Sequence, residues 1–466
     1  MKKLFIAAFI FVSTFTTNTF AEVKMGIILG FTGPIESLTP AMAASAELAF
    51  KEASDSGSLL GGETISVVRA DSTCVDSAAA TAAAEGVIAQ GVAAIMGADC
   101  SGVTGAIASN VAVPNGVVMI SPSATSPGLT ALDDKGFFFR TAPSDARGGQ
   151  ILADITKDRR IKSVAITYTN NDYGKGLADV YAAAVKAHGI KVTIVSAHED
   201  GKADYSSEVA TLASAGGDAV AVIGYLDQGG KGIIQGSLDS GAFDKFILSD
   251  GMIGDSLTEA FGKDLNKSFG SMPGSMNEKT AGTFASVAKA AGIDSSGPYT
   301  GESYDAAALI VLAIQAGGSA DRASIAKNVM DVANSPGTKI YPGELKKGLD
   351  LLANGKKVDY EGATGVTFTV ETGDLNCDFT SGIIECQAQG SCDVLDAGFD
   401  MFIDCETFCT DLVADYIALP NLDTTSYQIQ GPLCDVPPIT GGAPTNLTID
   451  DVWSCVIALP FEFTFY

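Results

Sequence analysis

Two turns that contain serine and threonine follow neighbouring apolar strands between Gly97 and Pro127. The first leads into a segment that we predict to be a helix beginning at Ser101. Serine is a preferred N-cap residue, and the first amides of a helix lack partners within the helix. A hydroxyl group, free N–H groups and the positive end of the helix dipole together favour an anion such as a carboxylate.

The second turn repeats this arrangement one strand later. It follows a predicted strand at residues 116–120 and places Ser123 and Thr125 near the carboxyl end of that strand. In open parallel α/β sheets, ligands bind in the crevice outside the carboxyl ends of the strands. The alternative is that Ser101 and Thr125 only cap helices, which is the usual role of such residues.

Apolar strands and helical patterns alternate through the first two thirds of the chain. The first series predicts strands at 23–29, 64–70, 92–96 and 117–120 and helices at 41–53, 77–90 and 104–110. The second predicts strands at 163–169, 191–196, 219–224 and 245–249 and helices at 146–157, 177–188, 206–215 and 229–240. Beyond Met272 the pattern is mostly helical, at 278–291, 304–316, 324–333 and 343–354. The alternation predicts an α/β fold with two doubly wound parallel-sheet lobes joined by short hinges.

The N-terminus has the features of a secretory signal peptide. Lys2 and Lys3 precede an apolar run at residues 4–12, and a cleavage site is expected after Ala21. The apolar run is shorter than the roughly 20 residues that a membrane span needs. The residue directly after the cleavage site is Glu22 and not cysteine, so we expect an exported protein without a lipid anchor.

Composition argues against several functions. A formal net charge of −26 disfavours nucleic acid and anionic membrane surfaces as partners. His188 and His198 are the only histidines, and no nucleophile-elbow, Walker or zinc-protease motif is present. We therefore predict a binding protein that has no catalytic residues, metal or cofactor. The alternative is a hydrolase or lyase that uses the same cleft, and turnover of a retained ligand would distinguish the two.

Several short motifs occur in a fixed order along the chain. They are Gly30-Phe31-Thr32-Gly33-Pro34, Cys100-Ser101, Ser121-Pro122-Ser123-Ala124-Thr125-Ser126-Pro127, Arg140-Thr141, Asp172-Tyr173-Gly174-Lys175-Gly176, Gly224-Tyr225, Ser249-Asp250-Gly251, Tyr304-Asp305-Ala306 and residues 359–365. Each motif alone is weak, whereas their order over more than 300 residues is specific. In this respect the chain resembles, over roughly residues 23–374, the periplasmic solute-binding proteins of branched-chain amino acid ABC transporters.

The resemblance implies a type I periplasmic binding protein fold and a set of ligand contacts. In such proteins the ligand carboxylate is held at the positions of Ser101 and Thr125, and the main chain at Ser123 and Ala124 accepts from the α-ammonium group. Asp250 falls at the position of the ammonium's charge partner, which is Glu in the family member compared. Without the resemblance, Asp250 could equally be an ordinary turn acid.

Further residues follow from the same resemblance. Tyr173 and Tyr225 match aromatic positions of the second-lobe wall, although Tyr173 could instead be only a turn residue. Tyr299 and Glu302 are less certain candidates nearby. Cys74 and Cys100 match the single disulfide of the family, which would brace the carboxylate turn.

The function implied is capture of an amino acid, preferably an aliphatic one, between two closing lobes and its delivery to a membrane permease. We expect a periplasmic monomer that does not insert into the membrane. The alternatives are binders of amides, urea or organic acids on the same fold. The predicted divisions are a signal peptide at 1–21, a first lobe at 22–143 and 272–350, and a second lobe at 144–271 and 351–374.

Residues 375–466 depart from the family. This acidic extension holds seven of the nine cysteines and the only tryptophan, Trp453, and no basic residue follows Lys357. An odd number of cysteines leaves at least one thiol free or paired between chains. A small disulfide-stapled unit is the first interpretation. A poorly folded extension and a stretch translated from a shifted reading frame are the alternatives. No EF-hand loop is present, so no metal is predicted.

Overall fold

The structure is a computed structural model that describes residues 22–275, 278–365, 368, 384–386 and 392–394. The predicted signal peptide lies outside the described residues. So do residues 369–374, where the order of the family predicts a closing strand over 368–374, and nearly all of the extension at 375–466. No helix in the part of the chain that the structure describes is both long and apolar enough to cross a membrane.

The first lobe is built on a five-stranded sheet in which all neighbouring strands are parallel. Its strands are β1 (Glu22–Leu29), β2 (Thr64–Asp71), β3 (Ala94–Gly97), β4 (Val118–Ser121) and β5 (Phe138–Arg140). β3 and β4 are buried along their whole length, as expected for strands with helices on both faces.

The second lobe is built on a second sheet. Its strands are β6 (Ser163–Thr169), β7 (Lys191–His198), β8 (Ala219–Ile223), β9 (Phe246–Leu248) and β10 (Phe269–Gly270), and two short strands, β13 (Ile384–Cys386) and β14 (Cys392–Val394), extend its edge. β6 to β10 are parallel, whereas β13 and β14 are antiparallel to their neighbours. A small parallel pair, β11 (Thr338–Ile340) and β12 (Val358–Tyr360), lies apart from both sheets.

Both lobes repeat one strand order. The first sheet runs β2-β1-β3-β4-β5, and the parallel part of the second runs β7-β6-β8-β9-β10. In the first sheet the chain adds strands on one side of β1 and then, from β3, on the other side, and in the second sheet it does the same on the two sides of β6. This switch point is where ligands bind in doubly wound folds, because the loops leave the two strands in opposite directions and open a crevice.

Twelve α-helices flank the sheets in the described part of the chain. They are α1 (Thr39–Asp55), α2 (Ser77–Ala89), α3 (Ser101–Ile107), α4 (Asp145–Asp158), α5 (Asp172–Ala187), α6 (Ser206–Ala215), α7 (Lys231–Ser240), α8 (Asp255–Phe261), α9 (Glu278–Ala290), α10 (Thr300–Gly317), α11 (Arg322–Ala333) and α12 (Leu345–Ala353). Two π-helical turns, Ala108–Ala112 and Leu226–Gly230, adjoin α3 and α7.

Helix α10 is the centre of the first-lobe helical layer. It is buried on all sides and packs against α1, α11 and α12. Asp305 on this helix accepts hydrogen bonds from the Tyr360 hydroxyl (2.8 Å) and from the amide and hydroxyl of Thr364 (3.0 and 2.8 Å). These bonds anchor residues 360–364 to the first-lobe helices.

The α/β fold with two parallel-sheet lobes that the sequence predicts is present. The chain passes from the first sheet to the second between β5 and α4, through the short segment 141–144. The predicted lobe boundary at residues 350 and 351 falls inside α12, and β12 beyond it pairs with β11 and packs on α11. Residues 351–360 therefore lie with the first-lobe helices, a placement that depends on long-range packing and has no marker in the local sequence.

Candidate functional site

The first serine turn lies at the switch point of the first sheet. Gly97 ends β3 with φ +129°, and a Cβ atom there would lie 2.1 Å from the carbonyl oxygen of Ile28. Only glycine allows β3 to approach β1 this closely. α3 begins at Ser101 as predicted, but Cys100 occupies the N-cap position. The Ser101 hydroxyl instead accepts from the Ser126 amide (3.1 Å) and so joins the two serine turns.

The second turn is folded around buried polar groups. The Ser121 hydroxyl accepts from the Ala124 amide (3.0 Å), and the Ser123 hydroxyl donates to the Asp99 carbonyl (3.1 Å). Arg140, fully buried, donates from Nη1 to the Ala124 carbonyl (3.0 Å). A carbonyl oxygen has two lone pairs, so the ammonium contact predicted for Ala124 requires the second of them.

Thr125 contacts a carboxylate that the sequence analysis missed. Its hydroxyl donates to Oδ2 of Asp145 (2.7 Å), and the Asp145 amide donates to the Thr125 carbonyl (2.9 Å). Asp145 is fully buried, and its Oδ1 has no hydrogen-bond partner among the described residues. Desolvation raises the pKa of Asp145 well above its usual range, the negative charge of Asp250 raises it further, and the Thr125 hydrogen bond and Arg140 oppose this.

Nothing in the local sequence marks Asp145 as a residue of the site. It is the first residue of α4, directly after the N-cap Ser144. An acid in the first turn of a helix is the usual complement of the helix dipole. The nearby motif Arg140-Thr141 was the sequence feature that could have drawn attention to this region.

The second lobe supplies a carboxylate held by tyrosines. Asp250 follows β9, is 4% exposed and accepts at Oδ1 from the Tyr173 hydroxyl (2.7 Å). The Tyr299 hydroxyl, which comes from the first lobe, donates to Oδ2 and so crosses the cleft. Desolvation raises the pKa of Asp250, and the hydrogen bonds from the two tyrosines lower it.

Tyr173 and Tyr225, which the resemblance places in an aromatic wall, stack on each other beside the cavity. Their rings stack with centroids 5.1 Å apart and planes 16° from parallel. Tyr173 lies in the first turn of α5, where the Asn171 side chain caps the helix by accepting from the Gly174 amide (3.0 Å). Tyr173 is therefore more than a turn residue, because its hydroxyl also accepts a hydrogen bond from the Gly251 amide (3.2 Å).

A small cavity of about 20 Å³ lies between the lobes. Its lining consists of Ile35, Leu38, Met42, Asp99, Cys100, Ser101, Ser123, Tyr173, Tyr225, Asp250, Gly251 and Tyr299. The volume holds about one water molecule, so a ligand the size of an amino acid requires the lobes to separate or the tyrosines to move. The lining includes five of the seven predicted ligand-binding residues, and the two that it does not include are Ala124 and Thr125.

Sequence analysis did not find the apolar side of the cavity. Ile35, Leu38 and Met42 come from the turn and helix that follow β1, and all three are buried. Phe31, in the loop after β1, lies under the Arg69 guanidinium (5.5 Å) and is not part of the lining. Apolar residues on a helix read as core in a sequence, because packing against a neighbour and packing against a ligand need the same side chains.

A disulfide and a buried carboxylate brace the first turn. Cys74 and Cys100 are joined in the pairing that the resemblance implied. Asp99 accepts from the Ser72 hydroxyl (3.0 Å), the Cys100 amide (2.9 Å) and the Gly30 amide. It therefore links the ends of β1, β2 and β3 at the switch point.

The hydroxyl turns give a first prediction. Ser101→Ala and Thr125→Val are each expected to weaken binding of a carboxylate ligand by about 1.5–3 kcal/mol, the usual loss for a hydrogen bond to a charged group. Calorimetry measures this, and Ser77→Ala, at the start of α2, is the matched control. Unchanged affinity in both variants would remove these turns from the site.

Glu302 gives a second prediction, on stability. Burial raises its pKa from the ordinary 4.5 to about 8, with Asp305 adding to the increase. Between these two pH values the unfolded chain is ionised at Glu302 while the folded protein keeps the proton, so stability falls as pH rises, by up to about 1.4 kcal/mol per pH unit. Glu302→Gln is expected to remove this part of the slope in urea unfolding between pH 5 and 8, and the exposed Glu85→Gln is not. Parallel curves for wild type and Glu302→Gln would contradict the assignment.

Comparison with known proteins defines the class. Residues 22–375 match the family model described as periplasmic binding protein, and the chain belongs to this family. It is 31% identical over 323 residues to the Leu/Ile/Val-binding protein homolog 1 of Brucella melitensis, covering 68% of this chain and 84% of that protein. It is 30% identical over 231 residues to homolog 3 of the same organism, but spans only 62% of that relative.

Solved structures show the same fold. The leucine binding protein LivK of Thermotoga maritima superposes with a TM-score of 0.64 at 23% identity, covering 80% of this chain and 97% of that one. The branched-chain amino acid transporter substrate binding protein LivJ of Streptococcus pneumoniae, solved with isoleucine, gives 0.64 at 22% identity with the same coverage. The type I periplasmic binding protein fold predicted from the sequence is thereby confirmed.

Proposed function

We propose that this protein binds an α-amino acid with an aliphatic side chain between its lobes and presents it to the permease of an ABC transporter. It acts as a monomer outside the cytoplasm, after removal of residues 1–21, and without chemical turnover. Membership of the periplasmic binding protein family and the Leu/Ile/Val-binding relatives support the class of ligand.

The observation that carries the proposal is the pair of buried carboxylates. Both belong to the second lobe, since Asp145 begins α4 beside the Thr125 turn and Asp250 follows β9. Burial raises the pKa of each, the negative charge of Asp250 raises the pKa of Asp145 further, and Oδ1 of Asp145 has no hydrogen-bond partner among the described residues. The described residues that line the cavity include no Lys or Arg. The buried charge of Asp250 is costly unless it is paired, and an α-ammonium group in the cavity supplies that pairing. Arg140 offsets part of the charge of Asp145.

The other two parts of an amino acid find matching groups. The Ser101 hydroxyl lines the cavity and can donate to the carboxylate, and the Thr125 hydroxyl can do so once it releases Asp145. Ile35, Leu38 and Met42 offer an apolar surface for the side chain, which favours aliphatic over charged side chains. The site therefore recognises the charged groups of the amino acid by hydrogen bonds and charge pairing. It recognises the side chain of the amino acid by burying it against apolar residues.

Closure of the lobes completes the site. Asp250 with Tyr173 belongs to one lobe, and Tyr299 with Ser101 belongs to the other, so the full set of contacts exists only when the lobes meet. A ligand that contacts both lobes binds the closed form better and shifts the population toward it. The closed form is then the form that a permease recognises.

Isothermal titration calorimetry tests the proposal. Leucine, isoleucine and valine are expected to bind more tightly than arginine or glutamate, because the apolar surface cannot pair a charged side chain. Mass spectrometry of the protein purified under native conditions is expected to show a retained aliphatic amino acid. Binding of none of these ligands, or chemical conversion of one, would overturn the proposal in favour of an organic-acid binder or a hydrolase.

A further inference from the structure

A second set of contacts joins the lobes outside the ligand cavity. It involves Asp227, in the π-helical turn Leu226–Gly230 of the second lobe, and the turn between β1 and α1 of the first lobe. The Asp227 amide donates to the Pro34 carbonyl (2.8 Å), and the Ser37 amide donates to Oδ2 of Asp227 (2.9 Å). Asp227 is not among the residues that line the cavity.

The second lobe holds the Asp227 carboxylate in place for this contact. The Ser256 hydroxyl donates to Oδ1 (2.9 Å), and the Lys231 ammonium lies 3.5 Å from the same oxygen. Lys231 also donates to Ser256 (2.9 Å), so the three side chains form one small network. One carboxylate oxygen is thus bound within its own lobe, and the other faces the first lobe.

We propose that Asp227 sets the equilibrium between the separated and the closed lobes, and so determines ligand affinity without touching the ligand. Both bonds to the first lobe join residues about 190 positions apart and can form only when the lobes meet. The carboxylate accepts the Ser37 amide as a charge-assisted hydrogen bond, which is stronger than a bond between neutral groups, and its own side chain is only 10% exposed although Ser37 lies at the surface. The proposal rests on the proposed function in one respect, namely that ligand binding is coupled to closure.

This role predicts a characteristic pattern. The observed affinity is the affinity of the closed form multiplied by the fraction of protein that is closed. A change at Asp227 therefore lowers the affinity for every ligand by the same factor and leaves the preference among ligands unchanged. A change at a residue that touches the ligand alters that preference. Ser126, whose hydroxyl also crosses the cleft to the Asp172 carbonyl, is unsuitable for this test because its amide is part of the carboxylate turn.

The test compares wild type with Asp227→Ala and Ser256→Ala, using leucine and valine in calorimetry. Asp227→Ala is expected to weaken both ligands by the same factor, about tenfold. Ser256→Ala keeps the carboxylate but removes its orienting donor and a 3.5 Å contact with the Ser37 hydroxyl of the first lobe, and it is expected to weaken both by about twofold to threefold. Asp244→Asn is the matched control, because this second-lobe acid pairs with Lys267 at the surface. Small-angle scattering of the ligand-free proteins is expected to show a larger radius of gyration for Asp227→Ala.

Equal affinities for Asp227→Ala and wild type would overturn the proposal, as would a loss that differs between leucine and valine. If Asp227→Ala does not fold, the affinities of Ser256→Ala for leucine and valine test the proposal instead. Unchanged affinities, or losses that differ between the two ligands, would again overturn it. A wild-type protein that binds neither amino acid would contradict the proposed function only. The radius of gyration of the ligand-free variants would then decide on Asp227, with a larger radius supporting its role and equal radii contradicting it.

Discussion

Asp250→Asn is expected to weaken binding of leucine by about 2–5 kcal/mol, the range for removing one partner of a buried, hydrogen-bonded charge pair. The asparagine keeps the shape of the side chain and can still accept from Tyr173, but it no longer offers a negative charge to the ligand ammonium. The wild type is therefore expected to prefer leucine over 4-methyl-2-oxopentanoate, which lacks the amine. The variant is expected to lose that discrimination, chiefly by losing leucine. Calorimetry with both ligands at pH 7 measures this.

Two further variants sharpen the result. Asp145→Asn is expected to act in the same direction as Asp250→Asn but less strongly, because its charge interacts with that of Asp250 although Asp145 does not line the cavity. Asp244→Asn, at the surface of the second lobe, is expected to leave both affinities unchanged. A wild-type preference for the acid without the amine would show that Asp250 does not face the ligand. The ligand would then be an organic acid, and the two-lobe fold would be unaffected.

Removal of the disulfide is expected to lower the free energy of unfolding by roughly 3 kcal/mol. The bond joins residues 26 positions apart, and in the loop-entropy model a loop of this size gives a stabilisation of that order. Cys100 also stands at the N-cap of α3, directly between Asp99 and Ser101. We therefore expect Cys74→Ala with Cys100→Ala to weaken ligand binding as well, by loosening the carboxylate turn. Urea unfolding and calorimetry measure the two effects.

A reductant serves as the control for this experiment. It is expected to shift the unfolding midpoint of the wild type toward that of the double variant, while the variant itself shifts less. Peptide mapping of the non-reduced protein is expected to link Cys74 with Cys100. A bridge from Cys100 to a cysteine of the extension at 375–466 would contradict this pairing and the treatment of the extension as a separate unit.

Much of this protein is determined locally by its sequence. Alternating apolar strands and helices predicted two parallel-sheet lobes, because burial on both faces gives strands that are apolar throughout and helices with one apolar side. Predicted boundaries such as 278–291 and 324–333 fall within two residues of α9 and α11. The turns at Ser101 and Ser123 could be placed at strand ends for the same reason. Asp250 and the tyrosines required the family resemblance, since a single acid or tyrosine in a turn is uninformative by itself.

The tertiary structure alone decided which distant groups meet. Asp145 looks like a helix-start acid and Asp227 like a surface turn acid, yet one joins Thr125 beside the cleft and the other joins the two lobes. Ile35, Leu38 and Met42 look like core residues, yet they line the cavity. The physical reason is that periodicity and capping report only on neighbours within a few residues. Contacts across about 20 to 190 residues depend on the strand order of each sheet and on how closely the lobes approach.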